Sequence, residues 1–512
     1  MTRELPYYES NSIHLAKNDD EETSFSTTST SALSSENLMV TCSEGSGMSE
    51  EGEAKYSISV GVFKAIKDKR WDDVTSRAAH YPEEASQWVV ASVADEQPER
   101  LLALHYACSL DAPIEVVKSL VEADSAAVRQ SDQNGRTLLH WAADHIDSSS
   151  DIFDVILDLH PDSARVREHK YGCTPLHVAC CRQQLGRNGE EKASHVIDRL
   201  LEAFPEAALC RDQRKGWLPL HVAARNGASP AIIEALTFAC PTAAAIGDED
   251  HRLPLHYVAR YANSWNEEQL KKVVDTVVAC YPAGLKRRER TCGHTPLAIA
   301  CSTPHQPPVL KAIVSLLLRY GQAAVSIPTF DQSLPIHIAS RSRAPFDVMR
   351  DLLIANPMSA AEQDKHGRTA LHWACQMCAP TEIIEILIRV FPSGAAVTEN
   401  KYGFTPLACA LHRRADTPTI STLLSYCPRA ARAKDMHGSL PIHAACKTPT
   451  GSIIVNIIEM LTRAYPESAR VKDGKGRVPI DLAMKWWDKD ESIKASLLHL
   501  LGEGRQTSMP AR

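Results

Sequence analysis

Aromatic residues make up only 6% of this 512-residue chain. No apolar run reaches the roughly 18 residues that a membrane-crossing helix needs. Scarce aromatics beside abundant alanine and leucine argue against β-sheet and for short helices. No Walker A sequence, kinase signature set, G-x-S-x-G elbow or H-E-x-x-H motif is present, which removes the common sequence grounds for an enzyme. Cysteine is plentiful at 15, but a disulfide framework belongs to short secreted chains. A second CxxC is missing: CQMC (375–378) stands alone without a placed histidine pair, so neither zinc nor any other cofactor is expected. The opening MTRELPYYES lacks the apolar core of a signal peptide. The default expectation is an intracellular, cytoplasmic protein, with the nucleus as the alternative.

Charge is unevenly placed. The chain carries a net −7, and residues 1–57 alone hold eleven Asp/Glu against three Lys/Arg, a balance of −8 that leaves the rest at +1. A near-neutral body gives no general pull toward nucleic acid or anionic lipid. In TSFSTTSTSALSS (23–35), ten of thirteen residues are Ser or Thr. Such a segment cannot bury enough apolar surface to offset its ordering entropy, so 1–57 reads as a disordered acidic tail open to phosphorylation.

What the chain does have is repetition. HGRTALHWAC (366–375) has relatives in NGRTLLHWAA (134–143), YGCTPLHVAC (171–180) and HGSLPIHAAC (437–446). Its histidine position recurs at His105, His140, His177, His221, His256, Ala298, His337, His372, Ala408, His443 and Asp481, at intervals of 35 to 44 residues. That predicts about eleven repeats. Each runs from a polar or glycine turn into [T/L]-P-L-H-x-A, then a second polar turn and an amphipathic run such as EIIEILIRVFP (382–392). Where threonine precedes proline, as at Thr174-Pro175 and Thr405-Pro406, the hydroxyl suits an N-cap before a proline at the first helical position. Ile383, Ile384, Leu387 and Ile388 mark the buried face of the second helix, which ends near the proline of FPSGAA (391–396).

This grammar resembles the ankyrin repeat, whose period is roughly 33 and whose signature includes T-P-L-H-x-A. The resemblance covers about 58–501. One departure recurs: the stretch closing the second helix is replaced by [Y/F/C]-P-x-x-A, seen in FPEAA (204–208), CPTAA (240–244), CPRAA (427–431) and YPESA (465–469). The longer repeat looks like those of ankyrin proteins from diatoms and related algae. The resemblance implies an all-α solenoid of stacked helix pairs with turn tips, in which 58–98 is a degenerate first repeat or cap, 99–501 the array and 502–512 a loose end. It also implies that His105, His140, His177, His221, His256, His337, His372 and His443 are structural, each tied to turn backbone and, where present, the threonine hydroxyl. Repeats lacking that histidine, at Ala298 and Ala408, are expected to be softer.

Candidate binding residues lie where repeats depart from the pattern. Tyr171 and Tyr402 occupy matching tip places, and an exposed aromatic can anchor an interface. KRRERTCGH (286–294) places Lys286, Arg287, Arg288 and Arg290 in the strongest basic run. RQQLGRNGEEKAS (182–194) and RYANSWNEEQLKK (260–272) are insertions expected to form edge loops, the second with Trp265 exposed to water. In the last repeat, Asp481 replaces histidine, and Trp486 and Trp487 are expected to cover the end of the stack. The function implied is a monomeric scaffold or adaptor that binds one or more proteins through the array's concave groove and tips. The alternatives are anionic lipid or nucleic acid at 286–290 and, last, an enzyme.

Overall fold

The structure, a computed structural model, describes residues 61–91, 99–110, 112–144, 150–181, 187–447, 453–486 and 491–502. The expected tails at 1–57 and 502–512, Trp487 and the start of the 182–194 insertion lie wholly or largely outside these residues. The chain divides into two compact units, Met1–Cys240 and Pro241–Arg512. The division falls at neither Ala298 nor Ala408.

The described part of the first unit opens with short helices. Helix Trp71–His80 packs on Ile114–Ala123. Glu84 is buried and accepts from Val62 N–H at 2.9 Å and from the Arg77 guanidinium at 3.1 Å, which gives its charge a partner. One antiparallel pair, Val89–Ala91 with Glu99–Leu101, departs from the all-α expectation. Inner helices Ala103–Ser109, Leu138–Asp144, Pro175–Cys180 and Pro219–Asn226 then stack on one another. Outer helices Ile114–Ala123, Ser150–Leu159, Arg187–Ala203 and Pro230–Ala239 form a second layer.

The second unit repeats the plan. Its inner layer includes Pro254–Arg260, Pro296–Ser302, Pro335–Arg341, Ala370–Gln376, Pro406–His412, Pro441–Lys447 and Pro479–Trp486. Its outer layer runs from Glu267–Cys280 to Glu491–Gly502. The segment Pro307–Ser326 is long and apolar enough to cross a membrane. Here it is an outer helix, Pro307–Gly321, with Leu310, Ile313, Val314 and Leu317 buried, followed by a separate turn.

The regular departure from the shorter repeat has a structural form. Proline ends the outer helix and starts a 3-10 turn, as in Pro205–Leu209, Pro392–Ala396 and Pro428–Arg432. Proline suits this place because it lacks the N–H that a first helical position leaves unpaired. Two places on, the residue is small and buried: Ser163, Ala207, Gly284, Gly394, Ala430. A Cβ added at Gly394 would meet Phe391 Cδ1 at 2.7 Å, so the turn lies tightly under the aromatic ring that precedes its proline.

Both insertions lengthen outer helices, so the expected edge loops are corrected. Residues 187–194 belong to Arg187–Ala203. Residues 260–272 form a 3-10 turn, Ala262–Ser264, and the first turn of Glu267–Cys280. Trp265 is 4% exposed, contrary to the water-exposed loop tryptophan expected. The reason is local. Asn266 accepts from Gln269 N–H at 2.9 Å and Gln269 Oε1 accepts from Asn266 N–H at 3.2 Å, a reciprocal cap. Trp265 and the buried Leu270 hold the two places of a hydrophobic staple around it.

Candidate interaction surface

Most turn tips are closed by a buried or half-buried acid; at 329–333 the Thr329 hydroxyl takes its place, accepting from Ser333 N–H at 3.1 Å. Asp132 Oδ1 accepts from the N–H groups of Asn134 and Arg136, both at 2.8 Å; Asp248, Asp364, Asp435 and Asp473 do the same two and four places on. Tips one residue longer use glutamate, whose extra methylene reaches five places. Glu168 accepts from Lys170, Tyr171 and Cys173, and Glu289 from Thr291, Cys292 and His294. Asp212 closes a five-place tip with the shorter side chain, accepting from Lys215 and Trp217. Its Oδ2 is left buried without a partner among the described residues.

The residue after the motif histidine completes three of the aspartate tips. Trp141 Nε1 donates to Asp132 Oδ2 at 3.1 Å, Trp373 Nε1 to Asp364 Oδ2 at 3.0 Å, and Tyr257 Oη to Asp248 Oδ2 at 2.7 Å. The tryptophan beside His372 therefore satisfies the second oxygen of the tip carboxylate nine residues earlier. The nine-residue spacing is a signal in the sequence, but the residue types at its two ends vary too much between repeats for it to stand out as a motif.

Tips are also tied to one another. Gln213 N–H donates to Tyr171 O at 2.6 Å, Phe330 to Cys292 O at 3.0 Å, Asn400 to His366 O at 2.8 Å and Met436 to Tyr402 O at 2.9 Å. Tyr171 and Tyr402 thus sit in the ladder through their carbonyls, with half-buried rings. Arg214 and Lys170 lie 5.4 and 5.0 Å from the Tyr171 centroid, and Phe404 lies 5.3 Å from that of Tyr402.

Six of the motif histidines have both ring nitrogens engaged, whereas Nε2 of His105 is buried without a partner among the described residues. Nδ1 of His372 accepts from Thr369 N–H at 3.2 Å, with the threonine hydroxyl 3.0 Å away, and Nε2 donates to Phe404 O at 3.2 Å in the next repeat. His140 and His177 bond in the same way to Cys173 O and Trp217 O. His256, His337 and His443 follow a leucine and accept from its N–H, then donate to Arg287 O, Glu362 O and Val471 O. His221 accepts from Leu218 N–H at 3.1 Å and His105 from Leu102 N–H at 3.4 Å. Nδ1 as acceptor and Nε2 as donor define a neutral ring. Burial lowers His140, His177, His256 and His372 to about 4.

Where histidine is absent, half of this device survives. The hydroxyls of Thr295 and Thr405 accept from Ala298 and Ala408 N–H at 3.2 and 3.3 Å. Asp481 Oδ2 accepts from Val478 N–H at 3.0 Å.

The basic run divides by role. Lys286, Arg287 and Arg290 are exposed, and their side chains have no partner among the described residues. Arg288 is exposed too, yet it donates to Pro328 O at 3.1 Å and lies 5.3 Å from the Phe330 ring centroid, strapping the next tip. Glu289, Cys292 and His294 come within metal-ligand reach of one another. The Glu289 carboxylate already accepts four donors, including the Thr291 hydroxyl, and Arg252 and Arg341 act against positive charge on His294. The cluster is a poor place for a cation. In CQMC, Cys375 is buried while Cys378 is exposed and donates to Arg413 O.

Residues 104–188 and 336–427 match the family described as Ankyrin repeats (3 copies). Those two stretches, about a third of the chain, are similar to ankyrin repeats. The ankyrin-repeat domain of Bcl-3, an IkappaB family member, is similar at 21% identity over 49% of this chain and 99% of its own, with a TM-score of 0.38. A chain from the complex of a predatory endopeptidase of Bdellovibrio bacteriovorus with an immunity protein is similar at 18% identity over 40% of this chain and 96% of its own, with a TM-score of 0.33. Likenesses at these scores say nothing about function. No curated protein matches the chain significantly.

Proposed function

We propose that the chain is a protein-binding scaffold whose ankyrin repeats, some eleven in number, hold a protein partner through their inner helices and turn tips. The observation that carries this reading is the split between conserved-in-register and varied positions along the chain. Histidines, tip acids and the following aromatics are committed to bonds that build the repeat, whereas exposed tip residues differ from repeat to repeat. Lys286, Arg287 and Arg290 present charge, and Phe330 and Met436 present apolar surface at 56% and 69% exposure. A surface that varies on a repeating support suits recognition of a particular partner. Catalysis forms no part of the reading, because buried motif rings that a substrate cannot reach offer neither base nor acid.

The test is affinity capture by the full chain from lysate of its native cell, washed at low and moderate salt. Retention of a small set of proteins at moderate salt, lost when Lys286, Arg287 and Arg290 or Tyr171 and Tyr402 are replaced, supports the reading. Enrichment of lipid or nucleic acid alone, with steep salt dependence, would point to the basic tip as an anion site. No enrichment at all sinks the scaffold.

A further inference from the structure

The residue four places after the motif histidine closes each inner helix. In the second unit that place holds Arg260, Arg341, His412, Lys447 and Lys485, with Ser302 and Gln376 in the remaining two repeats and no acid in any. In the first unit the same place holds Ser109, Asp144, Cys181 and Arg225. Cations at inner helix ends are therefore concentrated in the second unit.

Two members of the row are partly buried without a counter-ion among the described residues. Arg341 lies 5.5 Å from the centroid of the Trp373 ring, whose indole is also approached by Arg368 at 4.8 Å. The carboxylates whose fields reach Arg341 are those of Asp331 and Asp364. Both are committed: Asp331 pairs with Lys365, and Asp364 accepts from His366, Arg368 and Trp373. Lys447 repeats the situation. Asp473 and Asp435 act on it, but Asp473 binds the Arg477 guanidinium and two backbone N–H groups, and Asp435 closes its own tip. Burial lowers both cations from their ordinary values, and Arg477 adds to the effect at Lys447. A desolvated cation costs free energy unless an anion meets it.

We propose that the second unit binds an acidic, extended segment of a protein partner, whose carboxylates meet Arg341 and Lys447 at the ends of their inner helices. This deepens the scaffold reading and rests on it. Arg341 and Lys447 are three repeats apart, which at 8–10 Å per helix layer is about 24–30 Å. An extended strand covers that distance in about eight residues. The half-buried His412 ring, whose centroid is 4.6 Å from that of Phe404, supplies flat surface between the cations. A segment with carboxylates about eight residues apart and an aromatic or aliphatic residue between them fits this row.

The experiment uses the full chain and two labelled peptides of about 14 residues, one rich in glutamate and one with glutamine at the same places, read by fluorescence anisotropy. The glutamate peptide is expected to bind at least about tenfold more tightly. Arg341→Met with Lys447→Met should remove that preference, while Lys286→Met, Arg287→Met and Arg290→Met together should leave it intact. The double variant should melt at or above the wild-type temperature, since it removes unpaired buried charge; a lower melting temperature shows these cations to be structural and overturns the proposal. Equal binding of the two peptides overturns it, as does a preference lost only in the 286–290 variant. A partner captured from lysate that the glutamate peptide fails to displace leaves the scaffold standing and this inference refuted. Failure to capture any protein refutes the scaffold itself.

Discussion

At the scale of single residues, the tip carboxylates bring the main consequences. Trp373→Phe keeps the ring but takes the donor from Asp364 Oδ2, leaving a buried charged oxygen unpaired. The expected loss is about 1–3 kcal/mol in urea unfolding, and a variant as stable as the parent would show that water serves equally well. Asp212→Glu is the opposite case. The longer side chain is the one that other five-place tips use, and it can engage the oxygen now left without a partner. A gain of about 0.5–1.5 kcal/mol is expected, with the urea midpoint rising and the slope unchanged. The histidine pattern was legible in the sequence because it recurs alone in register. The acid and the aromatic nine places later were not, since the bond joins two positions that alternate among Asp, Glu, Trp, Tyr and Val.

At the scale of elements, the 3-10 turn explains the length of the repeat. Proline stops the outer helix, and the small residue two places on lets the turn lie against the neighbouring layer. Ala207→Leu places a branched side chain where the structure leaves no room and should cost about 1–3 kcal/mol by overpacking, read as a fall in melting temperature. The same change at exposed Glu206 should be nearly neutral. The helix at Glu267–Cys280 shows why the insertion was misread. RYANSWNEEQ contains the Asn-x-x-Gln spacing of a reciprocal cap with tryptophan just before it, a stronger signal than the insertion's polarity. Polar composition suggested a loop; capping chemistry made a helix start and buried Trp265 beneath it.

For the whole molecule, each compact unit is a stack in which the same histidine tie recurs. The rings of His140, His177, His256 and His372 remain neutral to about 4, whereas an unfolded histidine protonates near 6.5. Between those values unfolding takes up protons, so stability is full above about pH 6.5 and falls as pH drops toward 4. Each ring contributes a slope of about 1.4 kcal/mol per pH unit in that window. Urea midpoints measured from pH 7.5 to 4.5 should decline steeply; a flat profile would mean the rings are already protonated when folded. The ties are missing at Ala298 and Ala408, although threonine caps and the tip ladder persist there. Hydrogen exchange should be faster in Pro296–Ser302 and Pro406–His412 than in Pro335–Arg341 and Ala370–Gln376, and equal protection would count against the tie.

The sequence by itself determined the repeating helix pairs, their register and the structural histidines, because periodic motifs report local geometry and the burial that each repeat must share with its neighbours. Only the tertiary structure decided which polar groups find partners. It joined Trp373 to Asp364, strapped Arg288 to the next tip, buried Trp265 and, among the described residues, left Arg341 and Lys447 without counter-ions. Such pairings depend on which side chains from different turns converge, and that is set by packing between repeats.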